Sequence, residues 1–517
     1  MNIADKAIAV QMRGITKRFG GVTANDHVDL DVYRGEILAV LGENGCGKTT
    51  LMNMLAGIYF PDEGRIYIDG EEVVIRSPKD AFSHRIGMIH QHFKLVDLFT
   101  AAENIVLGIR EENGYNLKEV NARVAQIAER YGFRIDPQKK VYDMSVSEKQ
   151  TVEIIKVLYR GADILILDEP TAVLTPQEID KLFAVLKRMK EDGKSVIIIT
   201  HKLHEVLEVS DRVAILRKGV NIDTVNTAET DESSLTEMMV GKKISLNIDR
   251  SEPVDPQPRL LVQHLNCTDA EGVQVLKDVT FTANSGEILG VAGIAGSGQR
   301  QLLEAIAGLQ RLDSGDVRYV SAETGKETSL LNLNPMQIRD LGVRLSFVPE
   351  DRLGMGLVGN MGITDNMMLR SYRRGIAGFL DRKTPKKLAD KVIEELEVVT
   401  PGTKTPVRRL SGGNVQKVLV GREIASAPTV LMAAYPVRGL DINSSYTIYN
   451  LMNEQKEKGV AVIFVGEDLD VLLELCDRIL VINGGAVTGI ADARTVTKEE
   501  IGLLMTKTAG REEDSLG

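Results

Sequence analysis

The sequence has few of the features that mark exported, disulfide-stabilised or membrane-spanning proteins. Among its 517 residues are three cysteines without paired spacing, no tryptophan and 4% aromatic residues. No apolar run approaches the roughly 18 residues that a transmembrane helix requires, and the first residues show no basic segment leading into a long apolar stretch. We therefore expect a chain that neither spans a membrane nor is exported, and that works in a reducing cytosol.

Positive charge is not in excess either. The chain has 63 basic against 73 acidic residues, a formal net charge of -10. This balance gives no general attraction to nucleic acid or anionic lipid, so no nucleic-acid partner is predicted. With 43% hydrophobic residues, a chain of this length is sufficient for roughly two to four domains with buried cores.

The chain contains one pattern twice. GEIL occurs at Gly35 and again at Gly286, an offset of 251 residues, and two glycine-rich segments have the same offset. Motifs further along, such as those at Ser145 and Ser411, differ by 266. Constant offsets over unrelated motifs indicate a tandem duplication. The second copy then holds about fifteen more residues before its later motifs, which is typical of a surface insertion.

Apolar runs alternate with helical stretches in each copy. Segments such as EILAVLG and SVIIITH are typical of buried parallel strands in βαβ units. We predict an α/β fold of two tandem domains, each a mixed or parallel sheet with an inserted helical subdomain, near 116–140 and 383–409. The predicted boundaries are 1–248 for the first domain, 249–259 for a proline-containing linker, 260–510 for the second domain and 511–517 for a tail.

The first glycine-rich segment, GENGCGKTT, fits the phosphate-binding pattern G-x-x-x-x-G-K-[ST]. Its glycines let backbone N–H groups turn onto phosphate oxygens, and the following helix adds its positive end. Lys48 is expected at the β and γ phosphates and Thr49 at Mg²⁺. An isolated motif of this kind is also compatible with a glycine turn that holds no nucleotide. The predicted nucleotide-binding residues are Gly42, Asn44, Gly45, Gly47, Lys48, Thr49 and Thr50.

The apolar run ILILDEP ends in two adjacent carboxylates. We expect Asp168 at the Mg²⁺ ion and Glu169 beside the attacking water as general base. His201 follows another apolar run and is a further catalytic candidate. Taken alone, the carboxylates also suit a helix cap or a solvated strand end, and the histidine suits an ordinary core position. The order of the motifs favours the catalytic interpretation.

Together, Phe19, GENGCGKTT, Gln91, a serine-glycine signature, LDEP and His201 resemble the motifs of ATP-binding cassette (ABC) ATPases over nearly the whole chain. The resemblance implies two P-loop domains that close head to tail as an intramolecular pseudo-dimer. Each ATP then lies between the phosphate loop of one domain and the LSGGQ-type signature of the other. It also implies that Phe19 stacks on adenine, although an aromatic also suits a core, and that Gln91, otherwise a plain surface amide, is catalytic and a Mg²⁺ ligand.

The two copies have kept opposite halves of this machinery. The second keeps the signature as LSGGN, whereas the first reads MSVSE, with side chains on Val146 and Ser147 where glycines bring backbone N–H groups close to phosphate. Glu148 is expected to add unfavourable negative charge. The resemblance therefore implies that the second signature binds ATP. The residues concerned are Ser411, which also suits a helix cap, Gly412, Gly413 and Asn414, with Asp441 in the dimer-contact loop.

The second copy has lost the catalytic half. Gln299 and Arg300 replace the lysine and the hydroxyl, Ala434 and Tyr435 replace the two carboxylates, and Glu467 replaces the histidine. The resemblance thus implies one hydrolytic site, in which the first phosphate loop, Asp168, Glu169 and His201 face the second signature. The other site is predicted not to hydrolyse ATP, and nucleotide binding there stays open.

Tandem ATPases of this kind drive importers or act as soluble factors on ribosomes or DNA. A short linker without a long charged helix, the single intact site and the absence of a cysteine-rich zinc module favour an importer. VPEDR, at 348–352, SGGNVQK and EPTAVLTPQE resemble fused ATPases of carbohydrate and nucleoside uptake. The segment 88–108 is most similar to the nucleoside branch linked to basic membrane lipoproteins, and the ribose or galactose branch is the alternative.

The resemblance implies partners as well. These are two transmembrane permease subunits, seated near Gln91 and Glu350, and a solute-binding lipoprotein or periplasmic protein. The ATPase would lie on the cytoplasmic face of the cell membrane as a peripheral subunit. Because an ATPase of this kind does not touch the transported solute, the solute is inferred only by analogy.

Overall fold

The chain divides into two compact units, Met1–Ser245 and Leu246–Gly517. The computed structural model describes residues 7–90, 93–109, 116–172, 174–241, 248, 250–269, 271–294, 296–331, 333–340, 345–349, 351–369, 371–372, 380–425, 427–438 and 440–507. Each unit contains one four-stranded and one six-stranded sheet. None of the helices in these residues has the length and apolar character needed to cross a bilayer.

The first unit alternates strands and helices. Its strands are β1 (Ile8–Phe19), β2 (Val22–Tyr33), β3 (Ile37–Leu41), β4 (Glu63–Ile68), β5 (Glu71–Val73), β6 (Ile86–Ile89), β7 (Ile164–Asp168), β8 (Ser195–Thr200), β9 (Arg212–Arg217) and β10 (Val220–Asn226). Its helices are α1 (Lys48–Leu55), α2 (Pro78–Ser83), α3 (Ala101–Val106), α4 (Leu117–Tyr131), α5 (Val146–Tyr159), α6 (Pro176–Glu191), α7 (Leu203–Val209) and α8 (Glu232–Val240), with 3₁₀ turns at Val141–Asp143 and Thr227–Glu229.

The larger sheet of the first unit has the order β10-β9-β3-β8-β7-β6. β3 lies between β8 and β9 and is parallel to both, and β7 pairs in parallel with β8 and β6. Every residue of β3, β7 and β8 is buried, as their uninterrupted apolar sequences predict. The parallel strands bring their carboxyl ends to one edge, where ligands of open α/β sheets bind. The predicted α/β class is confirmed.

Helices α3, α4 and α5 share a separate apolar core. Ile105, Val120, Val124, Val152 and Ile155 are buried against one another there. The predicted helical region at 116–140 contains α4, and the structure adds α3 before it and α5 after it. Asn116 caps α4 by accepting a hydrogen bond from the Lys118 N–H at 3.1 Å. The inserted helical subdomain is therefore a packed layer with its own core.

The second unit repeats this architecture. Its strands are β11 (Pro258–Thr268), β12 (Gln274–Asn284), β13 (Ile288–Ala292), β14 (Ser314–Val320), β15 (Glu327–Ser329), β16 (Leu345–Val348), β17 (Val430–Ala434), β18 (Ala461–Val465), β19 (Arg478–Asn483) and β20 (Ala486–Asp492). Its helices are α9 (Gln299–Ile306), α10 (Pro335–Asp340), α11 (Ile363–Met368), α12 (Lys383–Glu395), α13 (Gly412–Ile424), α14 (Ile442–Glu457), α15 (Leu469–Leu475) and α16 (Lys498–Thr506), with a π-helical turn at Arg352–Gly356 and a 3₁₀ turn at Val407–Arg409.

The sheets of the second unit have the orders β16-β17-β18-β13-β19-β20 and β12-β11-β14-β15, which match the first unit strand for strand. The additional residues of this unit enter in several steps rather than as one insertion. The offset in numbering is 257 between the starts of α2 and α10, 262 between those of α3 and α11, and 266 between those of α4 and α12. The duplication predicted from the motif offsets is thus visible in the fold, with the extra length spread over several connections.

The segment before β11 packs on the second unit. Arg250 donates a hydrogen bond to the Leu473 carbonyl at 2.9 Å, and Lys456 donates to the Ser251 carbonyl and pairs with Asp477 at 2.8 Å. The division between the units lies three residues before the predicted end of the first domain at 248. The predicted boundaries of the linker, 249–259, and of the tail, 511–517, stay predictions.

A buried carboxylate precedes the central strand of the first unit. Glu36 is fully buried, and its Oε1 accepts hydrogen bonds from the Tyr33 N–H at 2.5 Å and from the Arg212 guanidinium at 3.4 Å. Burial raises the pKa of Glu36 to about 7 from its ordinary 4.5. The folded state therefore keeps a proton that the unfolded state releases. We expect the free energy of unfolding to fall as pH rises from 4.5 to 7, by up to about 3 kcal/mol.

Thermal unfolding of the full chain between about pH 5 and about pH 8 tests this expectation. Glu36→Gln should remove most of the decline in unfolding temperature with rising pH. Glu287→Gln, at the equivalent position of the second unit, is the matched control and should preserve the decline, because it leaves Glu36 in place. An equally steep decline in Glu36→Gln would show that another group is responsible.

Candidate active site

The phosphate loop of the first unit is a tight turn between β3 and α1. A Cβ atom at Gly42 would lie 2.2 Å from the Leu216 carbonyl oxygen, and one at Gly47 would lie 2.3 Å from the Ala24 carbonyl oxygen. Gly45 and Gly47 have φ values of 81° and 102°, in the left-handed region that favours glycine. The predicted glycines are thus required by the backbone path. Asn44 is exposed at the tip of the loop, and Thr50 lies half-buried on α1.

Lys48, the first residue of α1, is buried beneath this loop. Its Nζ donates hydrogen bonds to the carbonyl oxygens of Gly42 at 2.6 Å and Glu43 at 3.0 Å. No carboxylate forms an ion pair with this ammonium group within the described part of the chain. No described carboxylate therefore competes for this ammonium group with the phosphate oxygens that are expected at the loop.

Two oxygen ligands for a hard cation meet next to Lys48. The Thr49 hydroxyl donates a hydrogen bond to Asp168 Oδ1 at 3.3 Å, and Asp168 is the last residue of β7. Burial raises the pKa of Asp168 to about 6, and the charge of Glu169 acts in the same direction. Mg²⁺ prefers one or two protein oxygens completed by phosphate and water, so this hydroxyl and carboxylate fit the ion. Gln91, the third predicted ligand, lies outside the described residues.

Glu169 and His201 meet at the same edge of the sheet. His201 Nδ1 lies 3.0 Å from Glu169 Oε1, and the Glu169 N–H donates to the Ile199 carbonyl at 2.9 Å. Glu169 has a φ of 46°, an unusual value for a residue with a side chain. The hydrogen bond with His201 lowers the pKa of Glu169. The structure thus places an ionised carboxylate beside the imidazole, as a general base requires.

Sequence reasoning missed the contacts that hold these strand ends. Glu205, buried on α7, accepts hydrogen bonds from the hydroxyls of Thr171 at 2.8 Å and Thr200 at 3.3 Å. It therefore ties the end of β8 to the turn that follows Glu169. The corresponding residues of the second unit are Val437, Gly466 and Val471, none of which has a polar side chain. Comparing the two copies at the offset of 266 would have shown that these three polar residues occur only in the first unit.

Phe19 is exposed at the end of β1. Its ring is 43% exposed and makes an edge contact with the Tyr59 ring, with centroids 5.2 Å apart. The Lys17 ammonium lies 5.6 Å from the Phe19 centroid. The alternative that Phe19 is a core residue does not hold. Tyr59, which no motif singled out, extends this aromatic surface, whose role towards adenine stays a prediction.

The phosphate loop of the second unit has a backbone similar to that of the first unit but lacks the charged lysine. Gly296 and Gly298 have φ values of 86° and 107°. Gln299 occupies the place of the lysine, and its Nε2 donates to the Ile294 carbonyl at 3.0 Å. Arg300 pairs with Glu304 at 2.7 Å on the same helix. A neutral amide and an ion pair therefore stand where the first unit has an ammonium group and a hydroxyl.

The other catalytic positions of the second unit are also replaced. Ala434 is fully buried in an apolar core. Tyr435 has a φ of 49°, so the unusual backbone of Glu169 persists without the carboxylate. Glu467 pairs with Arg438 at 3.3 Å, and the Arg438 guanidinium lies 5.9 Å from the Tyr435 ring centroid. Among the described residues of this unit, the end of β17 therefore carries no carboxylate, and Glu467 replaces the histidine after β18.

The first signature is a self-contained helix cap. The Ser145 hydroxyl accepts from the Glu148 N–H at 3.2 Å, and Glu148 Oε2 accepts from the Ser145 N–H at 2.8 Å. Lys139 pairs with Glu148 at 2.8 Å. This ion pair offsets part of the negative charge of Glu148, and the effect of that charge on a bound nucleotide stays a prediction. The prediction that this signature does not bind ATP therefore depends mainly on the side chains of Val146 and Ser147.

The second signature caps α13 differently. Ser411 Oγ accepts hydrogen bonds from the Asn414 amide side chain at 2.8 Å and from its backbone N–H at 3.4 Å, so Ser411 is a helix cap. A Cβ atom at Gly413 would lie 3.0 Å from Ser444 Oγ. Asp441 caps α14 by accepting from the Ser444 N–H and hydroxyl, both at 2.8 Å. A contact of these residues with ATP or with the other unit stays a prediction.

Comparisons with known proteins agree with this duplication. A family model described as ABC transporter matches residues 25–172 and 276–436, one segment in each unit. A nucleoside import ATP-binding protein of Lactococcus lactis subsp. cremoris is 41% identical over 96% of this chain and 97% of that protein. A guanosine import ATP-binding protein of Bacillus subtilis is 41% identical, with 97% and 98% covered. A glucose import ATP-binding protein of Haloferax volcanii is 40% identical, with 98% of each chain covered.

Proposed function

Because the chain belongs to the ABC transporter family, an ATPase family, we propose that its two units share one ATP-hydrolysing site that drives a nucleoside importer. The asymmetry between the units carries this proposal. Lys48, Thr49, Asp168, Glu169 and His201 are all present in the first unit, and each has a different residue at the equivalent position of the second. The two glycines of the signature, in contrast, are present in the second unit and absent from the first.

In the proposed reaction, Lys48 binds the β and γ phosphates through its buried ammonium group. Thr49, Asp168 and the predicted Gln91 hold Mg²⁺, which neutralises phosphate charge when bound. Glu169 accepts a proton from the water that attacks the γ phosphorus, and the bond to the ADP oxygen breaks to release phosphate and ADP. His201 holds the Glu169 carboxylate by the observed 3.0 Å contact.

The signature of this site is proposed to come from the second unit. Ser411, Gly412 and Gly413 offer a hydroxyl, backbone N–H groups and the positive end of α13 to the γ phosphate. Gly412 is exposed at the start of that helix and carries no side chain of its own over the backbone. In the first unit the equivalent serine is part of a capping box with Glu148, and Val146 and Ser147 carry side chains where the second unit has glycines.

Nucleosides are the proposed solutes, because two relatives that cover nearly the whole chain are named for nucleoside and guanosine import. The similarity of segment 88–108 to the nucleoside branch supports the same choice. A monosaccharide is the second candidate, since the glucose import protein is 40% identical over the same extent. A soluble factor acting on ribosomes or DNA is a third reading, and no observation in the described residues favours it.

Membrane permease and solute-binding proteins are the general partners of import ATPases, and we propose two permease subunits and one solute-binding lipoprotein or periplasmic protein here. The chain would then lie at the cytoplasmic face of the membrane. Leu98 and Phe99, before α3, and Tyr142, before α5, are exposed apolar side chains on the helical layer of the first unit. Such side chains suit contact with a permease near Gln91.

Uptake of labelled solutes by cells lacking the chain tests the proposal. Guanosine, ribose, galactose and glucose are each offered to cells complemented with the wild type or with Glu169→Gln. We expect guanosine uptake to return with the wild type alone. Return of a sugar instead would assign the monosaccharide branch, and no difference for any solute would contradict an importer.

A further inference from the structure

One arginine of the second unit lies beside the signature, and none of the carboxylates that the structure describes pairs with it. Arg352 begins the π-helical turn after β16 and is half-buried. The neighbouring carboxylate is already engaged, because Asp351 Oδ1 accepts from the N–H groups of Leu353 at 3.2 Å and Gly354 at 2.7 Å. Burial lowers the pKa of Arg352, and no described acidic group forms an ion pair with it. A partly desolvated cation that forms no ion pair attracts an anion that comes within reach.

The guanidinium of Arg352 reaches the first residue of α13. Its Nη1 atom would lie 3.1 Å from a Cβ atom at Gly412. Its Nη2 atom donates a hydrogen bond to the Arg438 carbonyl. Glycine at 412 therefore leaves room for the arginine against the backbone of the signature. A larger residue at this position would press on the guanidinium.

The residue that accepts the hydrogen bond from Arg352 contacts the side chains that replace the catalytic residues in this unit. Arg438, whose carbonyl accepts the hydrogen bond from Arg352, pairs through its own side chain with Glu467 at 3.3 Å and lies near the Tyr435 ring. Tyr435 and Glu467 are the counterparts of Glu169 and His201. The first unit has Ala172 in place of Arg438 and no arginine in MIHQHFKLV after β6. The arrangement therefore belongs to the unit whose signature keeps its glycines.

We infer that Arg352 recognises the γ phosphate of ATP at the signature of the second unit. This inference rests on the proposed function, in which the ATP is held by the phosphate loop of the first unit. The signature itself offers neutral N–H groups and a helix dipole, whereas a guanidinium adds a full charge and forked donors that suit phosphate oxygens. ADP has no γ phosphate, so the contact forms with ATP and is absent with ADP. Arg352 thereby favours the ATP-bound state over the ADP-bound state.

Equilibrium binding to the full chain with Mg²⁺ tests the inference. All variants carry Glu169→Gln, which prevents turnover during the measurement. Arg352→Gln keeps a donor for the Arg438 carbonyl and removes the charge, so we expect its affinity for ATP to fall about tenfold, or about 1.4 kcal/mol. Its affinity for ADP should stay within about twofold. Arg352→Lys should keep most of the ATP affinity, because it keeps the charge.

Three controls separate this role from a structural one. Arg318→Gln removes an exposed arginine that pairs with Asp316 and Glu327 and should change neither affinity. Arg352→Met is a second neutral variant that preserves packing of the side-chain stem, and thermal unfolding identifies variants that lose the fold. Unchanged ATP affinity in Arg352→Gln, or equal losses for ATP and ADP, overturns the inference. Undiminished ATP binding in Lys48→Ala would instead contradict the proposed function.

Discussion

We expect replacement of Glu169 with glutamine to lower the ATP turnover number by at least about a hundredfold and to leave ATP binding in place, because the residue is proposed as the general base and a positioned general base contributes 10²–10⁴ in rate. Glutamine has the same shape and keeps an oxygen for the 3.0 Å contact with His201, yet it accepts no proton from water. The proposed phosphate contacts of Lys48 should be unaffected. The measurements are phosphate release and equilibrium binding of labelled ATP, made on the chain assembled with its permease.

The second unit supplies the matched controls for this experiment. Tyr435→Phe changes the residue at the position of Glu169, and Gln299→Ala changes the residue at the position of Lys48. Both variants should retain most of the turnover, because the described catalytic positions of that unit carry an amide, an alanine and a tyrosine. If Gln299→Ala abolished turnover as fully as Glu169→Gln, two working sites would be required and the one-site proposal would be wrong.

Much of the fold was predictable because its signals are local and repeated. The fully apolar runs at β3, β7 and β8 predict buried parallel strands, and the motif offsets predict the duplication. The site around Lys48 was predictable for the same reason, since the turn from β3 to α1 constrains its glycines sterically. The approach of His201 to Glu169 follows from the topology, because parallel neighbours β7 and β8 end at one edge of the sheet.

The contacts that sequence reasoning missed depend on the path of a loop or on the packing of a helix. The pairing of Lys139 with Glu148 is set by how the connection after α4 returns to the start of α5. Glu205 lies on α7, and only the packing of that helix brings it between Thr171 and Thr200. Arg352 reaches Gly412 because a π-helical turn redirects the chain after β16. No periodicity or motif specifies such a turn, so the contacts of Lys139 and Arg352 were not accessible from the sequence, whereas the offset of 266 marked the positions of the Glu205 contacts.

We expect turnover to fall strongly when the signature of the second unit is given the residues of the first, and to change little when the signature of the first unit is given glycines. Gly412→Val with Gly413→Ser gives the second unit the residues of the first, and we expect turnover to fall about a hundredfold, as when a backbone donor to a transition state is lost. A Cβ atom at 412 would lie 3.1 Å from Arg352, and one at 413 would lie 3.0 Å from Ser444 Oγ. The new side chains would crowd Arg352 and Ser444 and would obstruct the approach of phosphate to the N–H groups that are proposed to meet it.

The reciprocal exchange, Val146→Gly with Ser147→Gly, should leave turnover within about twofold of the wild type, because the signature of the first unit faces no intact catalytic half in the proposed arrangement. Its main effect should be on stability, since two glycines at the start of α5 cost up to about 1 kcal/mol each. Phosphate release and thermal unfolding measured on both double variants distinguish the two expectations. A hundredfold loss of turnover in both would mean that each signature serves a hydrolytic site. A loss confined to the first-unit variant would assign catalysis to a site within the first unit, and the pairing between units would have to be abandoned.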